Sequence, residues 1–148
     1  MKQTHEFMKL AIETAAQSGN DIPVGAVIVR NGAILALAHN EKEAKNNPLL
    51  HAEMVAISLA CEKLQTWRLD ECEMFVTLEP CPMCAWGIIQ SRIKKLTFGA
   101  HDALYGAFGS AIDLRAQANS KLIVQGGICE EECAKMISEY MNTVRGAQ

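Results

Sequence analysis

Two short stretches of this sequence carry residue types that bind a transition metal. Cys81 and Cys84 are separated by two residues, and Pro82 suits the first turn of a helix. A thiol at a helix N-terminus and a second thiol one turn later point the same way, so both can reach one ion. His51 offers an imidazole from an earlier predicted helix start. Because Zn2+ is commonly held by sulfur and nitrogen ligands, the three side chains predict a zinc site.

Glu53 follows His51 so closely that it lies near the predicted metal without having to bind it. A catalytic zinc keeps three protein ligands and leaves its fourth position to water. The zinc lowers the pKa of this water towards neutrality and so supplies a nucleophile. A neighbouring carboxylate can take the water proton and deliver it to a ring nitrogen and then to a leaving amine. The pattern therefore predicts hydrolytic deamination of an amino-substituted heterocycle, with Glu53 as the catalytic residue.

The same residue types are compatible with other kinds of site. A Cys-x-x-Cys pair can be a redox motif, but such motifs follow the first strand of a thioredoxin-like unit and need no His-x-Glu. A structural zinc in a binding module or an inactive subunit usually has four protein ligands and has no use for a spare carboxylate. The other cysteines lack this context, and we expect buried structural thiols at Cys61, Cys72, Cys129 and Cys133. His101 is of interest because it follows a predicted strand at the same edge of the sheet as the metal site.

The overall composition is that of one soluble globular domain spanning residues 1–148. Hydrophobic residues make up 49% of the chain and charged residues 21%, which is ordinary for such a domain. The first residues do not resemble a secretory signal, and no apolar run approaches the roughly 20 residues that span a bilayer. Six cysteines without an export signal point to a reducing compartment, so we expect a cytoplasmic protein. The net charge of −3 provides no bulk attraction to nucleic acid.

Hydrophobic periodicity predicts strands that alternate with helices after an opening hairpin. The predicted helices cover residues 6–17, 49–64, 82–91 and 130–144, with Pro48 in the first turn of the second. The predicted strands cover residues 24–30, 33–38, 73–78, 95–100 and 122–125. Asn31-Gly32 is favoured in tight hairpins, so the first two strands should be antiparallel neighbours. This order predicts an α/β fold, a three-layer α/β/α sandwich with a mixed five-stranded sheet.

From residue 22 to about residue 128, the chain resembles the bacterial tRNA adenosine deaminases, which convert the wobble adenosine of an anticodon to inosine. The metal motif alone is shared by the whole cytidine and deoxycytidylate deaminase superfamily. The run that begins at Phe98 is narrower and points to the tRNA-editing branch. The matching segments are Ile-Pro-Val-Gly-Ala-Val at 22–27, His-Ala-Glu at 51–53, Val-Thr-Leu-Glu-Pro-Cys at 76–81, Met-Cys-Ala at 83–85, Ser-Arg-Ile at 91–93, Phe-Gly-Ala at 98–100, Asp-Ala at 102–103, and Gly-Ala and Gly-Ser at 106–107 and 109–110.

The resemblance implies a cytidine deaminase-like fold and a set of residues that make up the chemical centre. It also implies a homodimer whose active site lies close to the subunit interface. In the implied scheme Glu53 is the proton shuttle. The implied Zn2+ ligands are His51, Cys81 and Cys84.

The resemblance further implies contacts with the substrate. Asn40 would hydrogen-bond the purine, although the same position also suits an ordinary turn residue at the start of a loop. Asp102 would lie near the sugar, whose 2′-hydroxyl distinguishes RNA from DNA. The remaining two contacts are expected from Val24 and Leu78. Nucleotides that flank the target base would be held by Asp102, Tyr105 and Arg92.

Two substrates remain open at this stage. The first is the adenosine in a tRNA anticodon loop, and the second is a free purine such as guanine. Enzymes that deaminate guanine carry a similar Glu-Pro-Cys-Pro-Met-Cys motif, and the acidic net charge also suits a small substrate. Leu104-Tyr105 stands where the tRNA-editing family tends to have Lys or another polar residue. Such departures affect contacts with tRNA and leave the predicted chemistry unchanged.

Overall fold

A single mixed sheet forms the centre of the molecule. The computed structural model describes residues 2–146 of the chain. The strands are β1 (Gly25–Arg30), β2 (Ala33–His39), β3 (Cys72–Leu78), β4 (Lys95–Ala100) and β5 (Ile123–Gln125). Their order across the sheet is β2-β1-β3-β4-β5. β1 is antiparallel to both of its neighbours, whereas β4 is parallel to β3 and β5. The mixed five-stranded sheet is therefore confirmed.

Helices cover both faces of this sheet. They are α1 (Lys2–Ala15), α2 (Ala52–Leu64), α3 (Pro82–Gln90), α4 (Leu114–Ala118) and α5 (Glu130–Gly146). One apolar core lies between the sheet and α2 and α3, and a second lies between the sheet and α1 and α5. This arrangement confirms the predicted three-layer α/β/α sandwich. Among the helices in the described range, none has the length and apolar character needed to cross a membrane.

The opening hairpin follows from its turn residues. Asn31 and Gly32 have φ angles of 50° and 78°, values that asparagine tolerates and glycine adopts without steric cost. The turn pairs β1 with β2 in antiparallel register. At the other end of β1, a Cβ atom on Gly25 would lie 2.0 Å from the carbonyl oxygen of Ala11. This glycine therefore lets α1 rest directly on the start of β1, next to the residues that line the candidate site.

The start of α2 differs from the prediction. The helix begins at Ala52, so neither Pro48 nor Leu49 belongs to its first turn. Asn47 accepts a hydrogen bond from the backbone N–H of Leu49 at 3.0 Å, which holds this stretch in a turn. His51 then adopts an extended conformation with φ −72° and ψ 150°. Local hydrogen bonding by asparagine competes with helix formation, and periodicity does not reveal it.

Two other helices differ from the sequence prediction. α4 was not predicted, because five residues are too few to display a helical period. It is capped by Asp113, whose side chain accepts the backbone N–H of Arg115 at 3.1 Å. α1 begins earlier than predicted and ends at Ala15, before Gly19, which has a φ of 62°. These differences leave the order of the principal elements unchanged.

Candidate active site

The three predicted metal ligands lie at the starts of two helices. His51 is the N-cap of α2 and Cys81 is the N-cap of α3, and both have extended backbone conformations. Neither side chain caps its own helix, so both are available for another partner. Cys84 lies within the first turn of α3, where Pro82 occupies the N-terminal position that proline favours. The positive ends of two helix dipoles therefore face the same cluster, and they favour anionic ligands there.

The distances within this cluster fit a tetrahedral zinc ion. The Nδ1 atom of His51 lies 3.6 Å from the Sγ of Cys81 and 3.5 Å from the Sγ of Cys84. Ordinary Zn–S and Zn–N bonds at a tetrahedral angle place sulfur and nitrogen about 3.6 Å apart. Within residues 2–146, these side chains form the one group of at least three His, Cys, Asp or Glu ligand atoms that lie within 4.8 Å of one another. Three ligands of this kind correspond to a catalytic rather than a structural zinc site.

The cluster also has the electrostatics of a cation site. A hydrogen bond from the Cys84 thiol lowers the pKa of Cys81 to about 4, and His51 contributes in the same direction. The contact with Cys81, together with burial, raises the pKa of Cys84 above its ordinary range. These opposite shifts arise because the two sulfurs lie side by side. A divalent cation held between them would satisfy both as thiolates, which is the usual coupling of metal binding to thiol deprotonation.

Glu53 lies in the first turn of α2 and is almost completely buried. Burial raises the pKa of Glu53 to about 7. Its carboxylate lies beside the cluster and interacts electrostatically with Cys81 and His51. A carboxyl group with a pKa near neutrality can both accept and donate a proton under physiological conditions.

A cavity of about 480 Å³ opens onto these groups. Every predicted site residue lines this cavity except Cys84, which is fully buried. The predicted residues that line the cavity are Val24, Asn40, His51, Glu53, Leu78, Cys81 and Asp102. The lining residues that had not been predicted as site residues are Asp21, Ile22, Lys42, Glu43, Glu79, Tyr105 and Tyr140, of which Tyr105 had been expected to hold flanking nucleotides. The cavity is large enough for a heterocyclic base with part of its sugar.

Comparison with known proteins identifies the kind of site. Residues 1–100 match the family model for the cytidine and deoxycytidylate deaminase zinc-binding region. The chain is 42% identical to the tRNA-specific adenosine deaminase of Bacillus subtilis (strain 168), over 98% of this chain and 92% of that protein. The chain belongs to this deaminase family. It is a hydrolytic enzyme with a zinc-binding domain, and the superfamily resemblance drawn from the sequence is confirmed.

Solved structures agree with this assignment. A chain from a study of A-to-I editing by tRNA:A34 deaminases has a TM-score of 0.85 and 37% identity, covering 88% of this chain and 98% of that chain. A guanine deaminase from Bacillus subtilis has a TM-score of 0.63 and 39% identity, covering 65% of this chain and 63% of that chain. Both share the cytidine deaminase-like fold, but the first similarity extends over more of the chain.

In this deaminase, the side chain of Asn40 connects three segments around the cavity. Its Oδ1 accepts the backbone N–H of Ala52 at 2.8 Å, and its Nδ2 donates to the carbonyl of Ile22 at 2.9 Å. Asn40 therefore holds the first N–H of α2 and the segment before β1 in one arrangement. The amide keeps one further N–H, which is the group that remains for a ligand in the cavity.

Asp102 and Glu79 form neighbouring parts of the cavity wall. One oxygen of Asp102 accepts the backbone N–H groups of Leu104 and Tyr105, both at 3.1 Å. Glu79 is buried, which by itself raises the pKa of its carboxyl group. Hydrogen bonds from Ser110, Asp102 and Phe108 outweigh this effect, so the pKa is lowered. Glu79 was not predicted as a site residue, although an acidic residue at the end of an apolar strand is an unusual feature of the sequence.

The remaining predictions, for His101, Arg92 and the other cysteines, have mixed outcomes. His101 lies outside the cavity and pairs with Glu130, with 2.8 Å between its Nδ1 and a carboxylate oxygen. Arg92 lines a second cavity together with Lys94 and Lys121, and it is absent from the wall of the first. The four other cysteines are free thiols, and the two that are fully buried are Cys72 and Cys133. Cys61 and Cys129 are half-buried, so the expected burial is only partial there.

Proposed function

We propose that this enzyme converts adenosine to inosine at the wobble position of a tRNA anticodon loop. The observation that carries the proposal is the similarity to a tRNA-specific adenosine deaminase over nearly the full length of both chains. A cavity that combines a zinc-ligand cluster, a buried carboxylate and an aromatic rim supports it. A nucleobase that turns out of a single-stranded loop can enter such a cavity.

We assign the chemistry to four side chains. His51, Cys81 and Cys84 would hold the zinc ion, which when bound supplies a Lewis acid that activates water at neutral pH. Glu53 would take a proton from that water and deliver it to the adenine ring nitrogen N1. As the exocyclic C–N bond breaks, Glu53 would carry a second proton to the departing amine, which leaves as ammonia. The water oxygen then remains on the ring carbon, giving inosine.

The substrate contacts follow from which polar atoms remain available. The second N–H of Asn40 would bind a ring nitrogen of the purine. The Asp102 oxygen that does not bind Leu104 and Tyr105 has no partner among residues 2–146, and it would accept the ribose 2′-hydroxyl. The apolar side chains of Val24 and Leu78 line the same cavity, and we assign them to the flat faces of the base.

Lys42 is the cation in the cavity wall that suits a phosphate. Within the described part of the chain its ammonium group has no ion-pair partner, whereas the nearby Lys45 lies 3.1 Å from a carboxylate oxygen of Glu41. Most of the other charged residues around the cavity are acidic. We therefore assign Lys42 to a phosphate next to the target nucleotide, a contact that a free purine lacks. Such a local contact would compensate for the acidic net charge.

We also propose that one domain spans residues 1–148 and that it acts as a homodimer in the cytoplasm. Large apolar side chains are exposed on segments that adjoin the active site. Leu49 is 56% exposed, Trp86 is 48% exposed and Leu104 is 78% exposed. Exposed apolar residues of this size are typical of protein interfaces. Analytical ultracentrifugation tests this assignment, and a monomer at micromolar concentration would contradict it.

Deamination of a free purine is the second candidate. The acidic surroundings of the cavity and the partial similarity to a guanine deaminase favour it. The two candidates are separated by incubating the zinc-loaded protein with an adenosine-bearing tRNA and, in parallel, with a panel of free bases and nucleosides. Inosine at the wobble position supports the first proposal. Ammonia release from a free base, without inosine in the tRNA, would replace it with the second.

A further inference from the structure

The buried carboxylate of Glu79 has no role in the chemistry assigned above. Glu79 directly follows β3 and is separated by one proline from the zinc ligand Cys81. Its exposed fraction is 2%, and no salt bridge to it is found within residues 2–146. Burying a carboxylate without a cation is costly unless several hydrogen bonds stabilise it. The hydrogen-bond partners of this carboxylate therefore indicate its role in the structure.

Within residues 2–146, all the hydrogen bonds to the Glu79 side chain come from one segment, residues 102–110, which we call the rim loop. The backbone N–H of Asp102 donates to Oε1 at 3.1 Å. The backbone N–H groups of Phe108 and Ser110 donate to Oε2 at 3.0 and 3.2 Å. The Ser110 hydroxyl completes the set by donating to Oε1. Each carboxylate oxygen thus receives two hydrogen bonds, and the two ends of the rim loop bind the same side chain.

The rim loop packs closely around this carboxylate. A Cβ atom on Gly106 would lie 2.4 Å from the carboxyl carbon of Glu79, so the loop backbone passes directly over it. The backbone N–H of Ala107 also donates to the carbonyl of Pro80 at 2.9 Å. The rim loop is therefore attached to the same short segment that leads into Cys81.

The rim loop also forms part of the wall of the substrate cavity, next to Glu79. Asp102 and Tyr105 line the cavity, and Tyr105 is 65% exposed. Asp102 organises its own turn by accepting the N–H groups of Leu104 and Tyr105. The conformation of these two cavity residues thus depends on a loop whose ends are bound to Glu79.

We propose that Glu79 is a positioning residue that fixes the rim loop relative to the zinc-binding segment and thereby places Asp102 and Tyr105 against the substrate. This inference deepens the proposed function, since the rim loop would meet the sugar and the flanking nucleotide. Glu79 acts through the loop and does not contact the reacting atoms. Its loss should therefore weaken substrate binding more than the chemical step.

The decisive variant is Glu79→Gln, which keeps the size of the side chain and turns one acceptor oxygen into an NH2 group facing N–H donors. We expect KM for an anticodon stem-loop to rise about tenfold, the equivalent of one lost charged hydrogen bond. The kcat value and the zinc content should stay within about twofold of the wild-type values. Amide hydrogen exchange should accelerate at Asp102, Phe108 and Ser110 and stay unchanged in α2 and β3.

Milder variants keep the test decisive if Glu79→Gln fails to fold. Ser110→Ala removes only the hydroxyl donor and should give the same pattern with a smaller rise in KM. Ser18→Ala is the matched control, because the Ser18 hydroxyl is buried and has no hydrogen-bond partner among the described residues. It should change neither KM nor exchange in the rim loop.

The possible outcomes separate this inference from the proposed function. If the wild-type enzyme does not act on the stem-loop, the proposed function fails, and KM is then measured on whichever base or nucleoside it deaminates. Hydrogen exchange tests the inference in either case. Unchanged exchange in the rim loop would overturn it. Faster exchange with an unchanged KM would also overturn it, since Glu79 would then be structural only.

Discussion

The zinc-ligand cluster and the rim of the substrate cavity are built in different ways. His51 and Cys81 are the residues at which two regular helices begin, so the fold itself sets their positions. Two loops form the rim of the cavity. One follows β2 and contains Asn40, and the other is the rim loop, residues 102–110, which follows β4. Side-chain hydrogen bonds hold both loops. Asn40 binds one loop to the start of α2, and Glu79 binds the other.

This difference separates the chemical step from substrate selection. The cluster can keep its geometry while the loops change, because its ligands depend on helix starts packed against the core. The rim can alter its contacts through Asp102 and Tyr105, which line the cavity and are not metal ligands, while Ala107 and Phe108 of the same loop stay buried in the apolar core. Such a division is expected where a rigid scaffold carries variable binding loops.

Removing a zinc ligand should have the largest effect of any single change. We expect Cys81→Ala to lose zinc and all measurable deaminase activity, because two ligands do not hold the ion in a catalytic geometry. Metal analysis of the purified variant and a thermal unfolding curve check this. Cys61→Ala is the control, since the Cys61 thiol lies outside the cluster. Full zinc occupancy in Cys81→Ala would show that the ion binds elsewhere.

Replacing Glu53 should abolish the proton transfer and spare the cluster. We expect Glu53→Gln to retain zinc and fold while kcat falls by about a hundredfold to ten-thousandfold, the usual share of general acid–base catalysis. Single-turnover kinetics beside metal analysis measure both quantities. Undiminished turnover in Glu53→Gln would remove Glu53 from the mechanism.

The pH profile tests the same carboxyl group. Burial raises the pKa of Glu53 to about 7, and it must be deprotonated to accept the water proton. Activity should therefore fall as the pH decreases through that value. Bound zinc is a nearby cation that favours the carboxylate, so the acidic limb of kcat/KM should lie at or below about pH 7. The limb should be absent from the residual activity of Glu53→Gln.

The sequence predicted the residues of the cluster and several residues of the cavity wall, but it did not predict the hydrogen bonds that hold the rim. The Cys-x-x-Cys spacing and Pro82 determine a helix start within a few residues, and the hydrophobic pattern predicts the strand before it. The loop contacts of Asn40 span 12 and 18 residues along the chain, and those of Glu79 span up to 31. No local pattern records such long-range hydrogen bonds. The short helix α4 was missed for a similar reason, because it depends on a cap rather than on a period.

Asn40 provides a test of how the loop after β2 is held. We expect Asn40→Ala to lower the free energy of unfolding by about 1–2 kcal/mol, because the first N–H of α2 loses its acceptor. Denaturant unfolding measures this change. Asn47→Ala removes one exposed turn bond to Leu49 and should cost less. Equal costs for the two variants would show that the contact between Asn40 and Ala52 has no special weight.

Lys42 should give the smallest effect, and that effect distinguishes the two substrates. If Lys42 contacts a phosphate, Lys42→Ala should weaken binding of the anticodon stem-loop severalfold and reduce the salt-dependence slope by about one. Turnover of a free purine should not change, because that substrate carries no phosphate. Fluorescence anisotropy at several salt concentrations provides the measurement.

Lys45→Ala is the matched control for this measurement. Lys45 lies in the same loop as Lys42, but its ammonium group pairs with Glu41. A partnered surface lysine releases few counterions on binding, so its loss should leave the slope nearly unchanged. Equal slopes for both variants would mean that the loop attracts RNA only through its summed charge. A slope that falls only in Lys42→Ala would place a phosphate at the cavity, and it would mean that a single residue of the rim favours a polynucleotide over a free base.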